Sequence, residues 1–571
     1  MPEVFFYQDN KTVTVSEGTT ILNAARNAGI VIESPCNGNG TCGKCKVRLD
    51  RDSLQNVITG GRHNLSKEEL VKGYVLSCET KITGNIKVEI IGGQKNNTLK
   101  ILSNGQSFDL SIDPLIKKVY FEGENQTRVF SGDKILGTEE GDTRDRIYGA
   151  VVDIGTTTLV ASIVDLKDGR EIGTASTLNP QAVYAQDVLS RIKFSSESDG
   201  LQKMYTEVIR EINHLINEIA ESNGISKENI YEIVLSGNTC MIHLCSNINP
   251  RSLGTYPYTP EISGAVYFDA AEHNIDISPF GIIYLPPIVS GYVGADITSG
   301  ILASQLHKTK ETVLFVDIGT NGEMVIAHDR KLSATSTAAG PAFEGMNITY
   351  GMRAGHGAIE FFEIDEDGNV VHKVIGDVKA TGICGSGLLD IVGELVAHGI
   401  INKSGRFVQR VDLQRNEADE KGGTERISKK KDFEERFIKQ EGKWVYRITD
   451  GVFLSQKDVR QVQLAKGAVR AGIEFLLKSK GLKSADVDRV LVAGSFGYHL
   501  REKSLINIGL LPKEFAGKVE FVGNTSKSGA QAFLLNKGYR REMEEAVKNI
   551  EVLELANCKD FEEVFVQSLS F

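Results

Sequence analysis

Residues 151–158 read Val151-Val152-Asp153-Ile154-Gly155-Thr156-Thr157-Thr158, and the fold turns on how they are read. Two β-branched residues run into an aspartate, a glycine and three hydroxyl side chains. An apolar pair ahead of Asp-x-Gly describes a buried strand entering a tight turn. Glycine lets the backbone come close to a ligand. Turn N–H groups and hydroxyls make a cradle for phosphate, and an adjacent aspartate can hold magnesium through water. Taken alone, the stretch also fits a buried strand whose Asp-Gly turn binds nothing. The pattern recurs, however. Residues 314–322 read Leu-Phe-Val-Asp-Ile-Gly-Thr-Asn-Gly, and Asp317 stands 164 positions after Asp153.

One phosphate turn in each half of a large domain resembles the actin-like, sugar-kinase-like and heat-shock-chaperone (ASKHA) ATPases. The resemblance runs from about residue 147 to the C-terminus. It implies a two-lobed actin-like ATPase domain over residues 148–571, with ATP and Mg2+ in the cleft. It assigns catalysis to Asp153 and Asp317, and nucleotide binding to Gly155, Thr156, Thr157, Gly319, Thr320, Asn321 and Gly322. The run Gly291-Tyr-Val-Gly-Ala-Asp296-Ile looks like the fold's first connecting helix, and by position Asp296 would orient the attacking water. Positioning a water and drawing off its proton is most of what a protein can offer phosphoryl transfer. The plainer alternative is an aspartate paired with a lysine on its helix. Gly340, in Thr337-Ala-Ala-Gly-Pro-Ala-Phe-Glu344, sits at a strand-to-helix turn by the cleft. Residues 490–497, Val-Leu-Val-Ala-Gly494-Ser495-Phe496-Gly497, look like the superfamily's adenosine motif, where small residues let base and ribose lie against backbone. No G-x-x-x-x-G-K-S/T occurs, which excludes a P-loop enzyme.

The rest of this region gives coarser signals. Residues 201–222 form a strong amphipathic helix, residues 233–241 a strand entering a Gly turn, and residues 463–477 another helix. Residues 403–446 are rich in charge and read as a solvated insertion with a small hairpin. Cys240, Cys245 and Cys384 read as small buried hydrophobes, with a second iron–sulfur site as the minor alternative.

The N-terminal region carries different chemistry. Residues 4–7 and 12–15 flank a polar turn and predict a β-hairpin. Residues 20–27 are helical, with Gly29 as the stop. Cysteines follow at Cys36, Cys42 and Cys45, and a fourth at Cys78: C-x5-C-x2-C, then 32 residues, then C. Two sulfide-bridged irons need four thiolates, three on one wrapping loop and one from a distant element. Gly38, Gly40 and Gly43 let that loop curl around a cluster. The first gap is one residue longer than in plant-type ferredoxins, as in the adrenodoxin-like branch. A zinc ribbon would show two short cysteine pairs. The expectation is a β-grasp [2Fe–2S] ferredoxin domain over residues 1–92, with Cys36, Cys42, Cys45 and Cys78 as ligands. The match of residues 38–43 to G-x-G-x-x-G is a decoy, because a short strand and no helix follows it.

Residues 93–147 read as a linker and small middle module, opened by Gly92-Gly-Gln-Lys-Asn-Asn97. Composition sets outer bounds: 41% apolar and 25% charged residues suit a soluble multidomain protein. A net charge of −10 argues against nucleic acid. No run approaches the roughly 18 apolar residues of a membrane span, and the N-terminus lacks a signal-peptide pattern. Eight cysteines, three of them within ten positions, point to a metal site in a reducing, cytoplasmic setting.

A [2Fe–2S] domain followed by an ATPase of this type resembles one family nearly chain-long: the reductive activators of corrinoid proteins. The likeness rests on the cysteine set, both Asp-Ile-Gly-Thr turns, Gly-Tyr-Val-Gly-Ala-Asp-Ile, Ala-Ala-Gly-Pro-Ala-Phe-Glu-Gly and Val-Ala-Gly-Ser-Phe-Gly. It implies ATP-dependent reduction of Co(II) to Co(I) on a corrinoid protein of a methyltransferase system. It also implies an upstream low-potential electron donor and allows a homodimer. Three other readings use the same fold: an activator of 2-hydroxyacyl-CoA dehydratase type, against which the ferredoxin region argues, a small-molecule kinase with a redox-sensing domain, and a non-enzymatic ferredoxin-like carrier whose ATPase half only senses nucleotide.

Overall fold

Val4 and Phe6 leave strand Glu3–Phe6 on one side and are fully buried, which sets the face of the first sheet. The computed structural model describes the chain except residues 8–10, 29, 31, 33–44, 61–64, 66, 91–97, 104–105, 186, 346, 353, 409–435, 441 and 495–499. It divides the protein into two units, residues 1–97 and residues 98–571.

In the first unit the predicted hairpin pairs Glu3–Phe6 with Lys11–Thr14, Val4 opposite Val13. Glu3–Phe6 then runs parallel to Ile86–Ile90. Lys46–Leu49 and Tyr74–Leu76 complete a five-stranded mixed sheet. Helix Ile21–Asn27 buries Ile21, Ala24 and Ala25 in the same core as Val47, Leu76 and Val88. This is the β-grasp arrangement expected from the sequence.

The second unit contains two six-stranded sheets built on one plan. In the first lobe, Tyr148–Ile154 pairs antiparallel with Thr158–Asp165 and parallel with Ile230–Gly237. In the second, Val313–Ile318 pairs antiparallel with Gly322–His328 and parallel with Arg489–Ala493. Strands with a parallel neighbour are covered on both faces and carry near-continuous apolar runs. That explains Val151-Val152 and Leu314-Phe315-Val316, all fully buried. Helix Gly200–Ser222 packs Met204, Val208, Ile212 and Leu215 on the first sheet.

Helices Ala295–Ser304 and Thr525–Leu535 cross in close contact. A Cβ on Gly529 would lie 2.0 Å from Ser299 O, so only glycine fits the crossing. Residues 98–140 form a hairpin, Thr98–Ser103 with Gln106–Ser111, and a three-stranded meander over Ile116–Phe121, Gln126–Ser131 and Lys134–Glu140. Both belong to the second unit. Asp113 N donates to Leu535 O at 2.9 Å, Asn536 Nδ2 to Ser111 O at 2.7 Å, and Tyr231 Oη to Glu139 at 2.5 Å.

Two elements differ from expectation. The strand expected within residues 233–241 enters its Gly turn at Gly237, but helix Thr239–Cys245, which was not expected, follows. Asn238 stops the strand by capping the helix, accepting from Met241 N at 3.0 Å. The helix predicted over residues 463–477 spans Gln456–Ser479, because the Ser455–Asp458 capping box starts it earlier. The charge-rich run at residues 429–432 lies outside the described residues. After it, strands Phe437–Gln440, Lys443–Thr449 and Val452–Ser455 form a small meander.

Candidate functional site

The two Asp-Ile-Gly-Thr stretches become matching hairpin turns. Gly155 N donates to Thr158 O at 2.9 Å in the first lobe, and Gly319 N to Asn321 O at 2.9 Å in the second. The turns face each other across a cleft of about 470 Å³, where Thr157 Oγ1 lies 3.4 Å from Thr320 Oγ1. Asp153, Asp296, Asp317, Gly155, Thr156, Thr157, Gly319, Thr320, Asn321 and Gly494 all line it. Gly322 and Gly340 do not: Gly322 opens strand Gly322–His328, where a Cβ would lie 2.8 Å from Val469. Ser495, Phe496 and Gly497 lie outside the described residues. Gly494 has φ +124°, and a Cβ there would sit 2.6 Å from Ile318 O, so glycine brings the end of its strand against the second turn.

Residues the motifs did not reveal complete the cleft. Asn524 Nδ2 and Ser526 Oγ donate to the two oxygens of Asp153 at 2.7 and 2.8 Å. Asn238 Nδ2 donates to Thr156 Oγ1 at 3.0 Å, and Thr320 Oγ1 to Glu344 at 2.5 Å. Glu323 is the cross-strand partner of Asp317. A sequence signal existed for Asn524: Gly-Asn-Thr follows a strand at residues 523–525 and again at residues 237–239.

Four carboxyls gather here, and their environment opposes charge. Burial raises Asp153 above its ordinary range, against the pull of Ser526 and Asn524. Burial and the Asp153 carboxylate push Asp317 up to about 7. Asp296 is raised by burial, then by Asp317, despite accepting from Ile297 N at 2.9 Å. Glu323 is raised by burial, Asp296 and Asp317. No cationic side chain among the described residues relieves Asp296, Asp317 or Glu323. Such all-oxygen ligands suit a hard divalent cation. Among the described residues, no three His, Cys, Asp or Glu converge as a direct metal cage. The fit is therefore to a cation held through water and phosphate.

In the first unit, Lys46–Leu49 and Tyr74–Leu76 are antiparallel neighbours with Lys46 opposite Leu76. That register sets Cys45 beside Cys78. Both are buried and their sulfurs are 3.1 Å apart, well beyond the roughly 2.05 Å of a disulfide. Paired thiols on adjoining strand ends suit iron bound through thiolate. Cys36 and Cys42 lie outside the described residues. Cys240 and Cys245 are buried in the first lobe, and burial pushes both thiols up to about 12, which leaves them unreactive. Cys384 is also raised by burial; it lines the cleft, with Sγ 3.3 Å from Ile359 O.

Among the described residues, no helix is long and apolar enough to cross a membrane.

Comparison with known proteins covers the whole chain. The family described as the C-terminal domain of RACo, the ASKHA domain, matches residues 311–571. The RACo middle region matches residues 148–309, and the 2Fe-2S iron-sulfur cluster binding domain residues 5–83. A solved structure, the reductive activator for corrinoid,iron-sulfur protein, is 32% identical with a TM-score of 0.73, over 100% of this chain and 98% of that one. The corrinoid activation enzyme RamQ of Eubacterium limosum is 29% identical over 100% of this chain and 99% of its own. The Co(II) methylated amine-specific corrinoid protein reductase of Methanosarcina barkeri is 23% identical over 74% and 77%.

Proposed function

The chain belongs to the reductive activators of corrinoid proteins, and we propose that it uses ATP to drive one electron onto the cobalt of a corrinoid protein, converting Co(II) to Co(I). The observation that carries this reading is the pair of facing phosphate turns, each following a half-buried aspartate at the cleft, in a chain whose other unit pairs Cys45 with Cys78.

Cys36, Cys42, Cys45 and Cys78 would hold a [2Fe–2S] cluster, which would supply a one-electron carrier. Cys45 and Cys78 are buried. Asp153, Asp296, Asp317 and Glu323 would hold magnesium, which would neutralise the charge of the phosphates. Gly155, Thr156 and Thr157 meet those phosphates from one lobe, and Gly319, Thr320 and Asn321 from the other. Asp296 lines the cleft beside Asp153 and Asp317, where it is placed to orient a water. The adenosine falls to Gly494, Ser495, Phe496 and Gly497.

The need for ATP follows from electrochemistry. A gap of about 120 mV against transfer leaves roughly one partner in a hundred reduced, since each 59 mV is a factor of ten for one electron. Nucleotide overcomes this only by favouring one protein state over another. In our reading, closure of the lobes on ATP favours the complex with the Co(II) protein, and hydrolysis releases it. An upstream low-potential donor recharges the cluster. The buried thiols Cys240, Cys245 and Cys384 favour a reducing, cytoplasmic setting. The test is ATP turnover with and without a Co(II) corrinoid protein. Stimulation by that protein supports the reading, and equal turnover in both contradicts it.

A further inference from the structure

A buried guanidinium stands behind the first phosphate turn. Arg191 lies on helix Val188–Ser195 and is 0% exposed. Its donors all meet neutral acceptors: Nε meets Ala185 O at 3.1 Å, Nη1 meets Gln181 Oε1 at 3.1 Å and Met241 Sδ at 2.9 Å, and Nη2 meets Thr156 O at 2.6 Å. Among the described residues it forms no ion pair, although burying an unpaired charge is costly. Burial lowers its pKa to about 10, so it stays protonated at neutral pH. The carboxylates that act on it, Asp187 and Glu344, accept from none of its donors, and Glu344 lines the cleft in front of the turn.

Peptide geometry links the two. In a trans peptide the C=O and the following N–H point in opposite directions. Arg191 holds the Thr156 carbonyl back, which sends the Thr157 N–H the other way. Asn179 does the same for the preceding unit: its Nδ2 donates to Gly155 O at 2.8 Å, turning the Thr156 N–H forward. Its backbone N donates to Thr157 O at 2.9 Å. Every carbonyl of Gly155, Thr156 and Thr157 is thus tied, and Thr156 and Thr157 line the cleft.

We propose that Arg191 is a positioning residue for nucleotide phosphate, fixing the Thr156–Thr157 peptide with its N–H toward the cleft and placing behind it a positive charge that the phosphates balance. Asn179 is its uncharged counterpart. This rests on the nucleotide reading above.

The test is calorimetric binding of ATP, ADP and adenosine to the full-length protein and to R191K and R191Q, with the visible spectrum of each as a check on the cluster. The expected result for R191Q is an ATP affinity about tenfold or more below wild type, a smaller loss for ADP, and adenosine unchanged. R191K, which keeps the charge, recovers most of the loss. If R191Q binds ATP like wild type, or loses ATP and adenosine equally, Arg191 is only structural and the inference is overturned. If R191Q does not fold, R191K decides: ATP affinity within about tenfold of wild type supports the proposal, and a larger loss overturns it. Wild-type protein that binds neither ATP nor ADP would sink the nucleotide reading itself, and this inference with it.

Discussion

Asp153 belongs to the first lobe, yet both hydrogen bonds it accepts at the cleft come from Asn524 and Ser526, after a strand of the second. Its replacement therefore removes both a phosphate-side carboxylate and a tie between the lobes. For D153A we expect ATP turnover and cobalt reduction to fall about a hundredfold or more, with the visible cluster spectrum unchanged. Normal reactivation by D153A would separate the cleft from the reduction. The carboxyl cluster also gives a pH signature. Asp317 is raised to about 7, whereas an unfolded aspartate titrates near 4. Between about pH 4 and 7 the folded state binds more protons than the unfolded one, so stability falls as pH rises through that window. Unfolding of nucleotide- and metal-free protein should show this decline, and D317N should flatten it; an unchanged slope in D317N would assign the protons elsewhere. Asp153 and Asp317 were legible because strand, turn and hydroxyls are contiguous. Glu323 needed only the hairpin register that sets it opposite Asp317. Arg191 lies among apolar helix positions and acquires meaning only through packing behind Thr156.

Among elements, the crossing of Ala295–Ser304 over Thr525–Leu535 ties Asp296 to the Asn524–Ser526 end of the cleft. Ser236 Oγ bridges both helices, lying 3.0 Å from Ser299 Oγ and 2.9 Å from Ser526 Oγ. G529A should force the helices apart against Ser299 O, at a cost of about 1–3 kcal/mol, read as a lower thermal midpoint of the ATPase unit. A midpoint equal to wild type would show the crossing to be slack. The connecting helix was legible only through the likeness of Gly-Tyr-Val-Gly-Ala-Asp to the superfamily's motif, and helix Ala295–Ser304 stands there. Its partner was not read, because Gly529 reports a tight crossing only when the facing Ser299 backbone is known. Helix Thr239–Cys245 was not read for a local reason: an apolar run crossing Asn238 has the same composition as strand or helix, and the cap alone divides it.

For the whole molecule, the described residues form four cores, one within residues 1–97 and three within residues 98–571. Each unit should tolerate damage to the other's chemistry. C42A should lose the cluster's absorption and cobalt reduction while binding ATP within about threefold of wild type, since every residue lining the cleft belongs to residues 98–571. Loss of ATP binding in C42A would mean the units cannot be treated separately. The two-lobed plan was legible from one motif repeated 164 residues apart. The packing of residues 98–140 within the second unit was not, because their short strands carry no motif, and the core that takes Leu110, Ile116 and Val129 is built from distant elements. The decisive measurement follows the cobalt spectrum of a Co(II) corrinoid protein mixed with pre-reduced activator, with ATP, with a non-hydrolysable analogue and with no nucleotide. Co(I) should accumulate to completion only with ATP; equal Co(I) without nucleotide, or none with it, would contradict ATP-driven electron transfer.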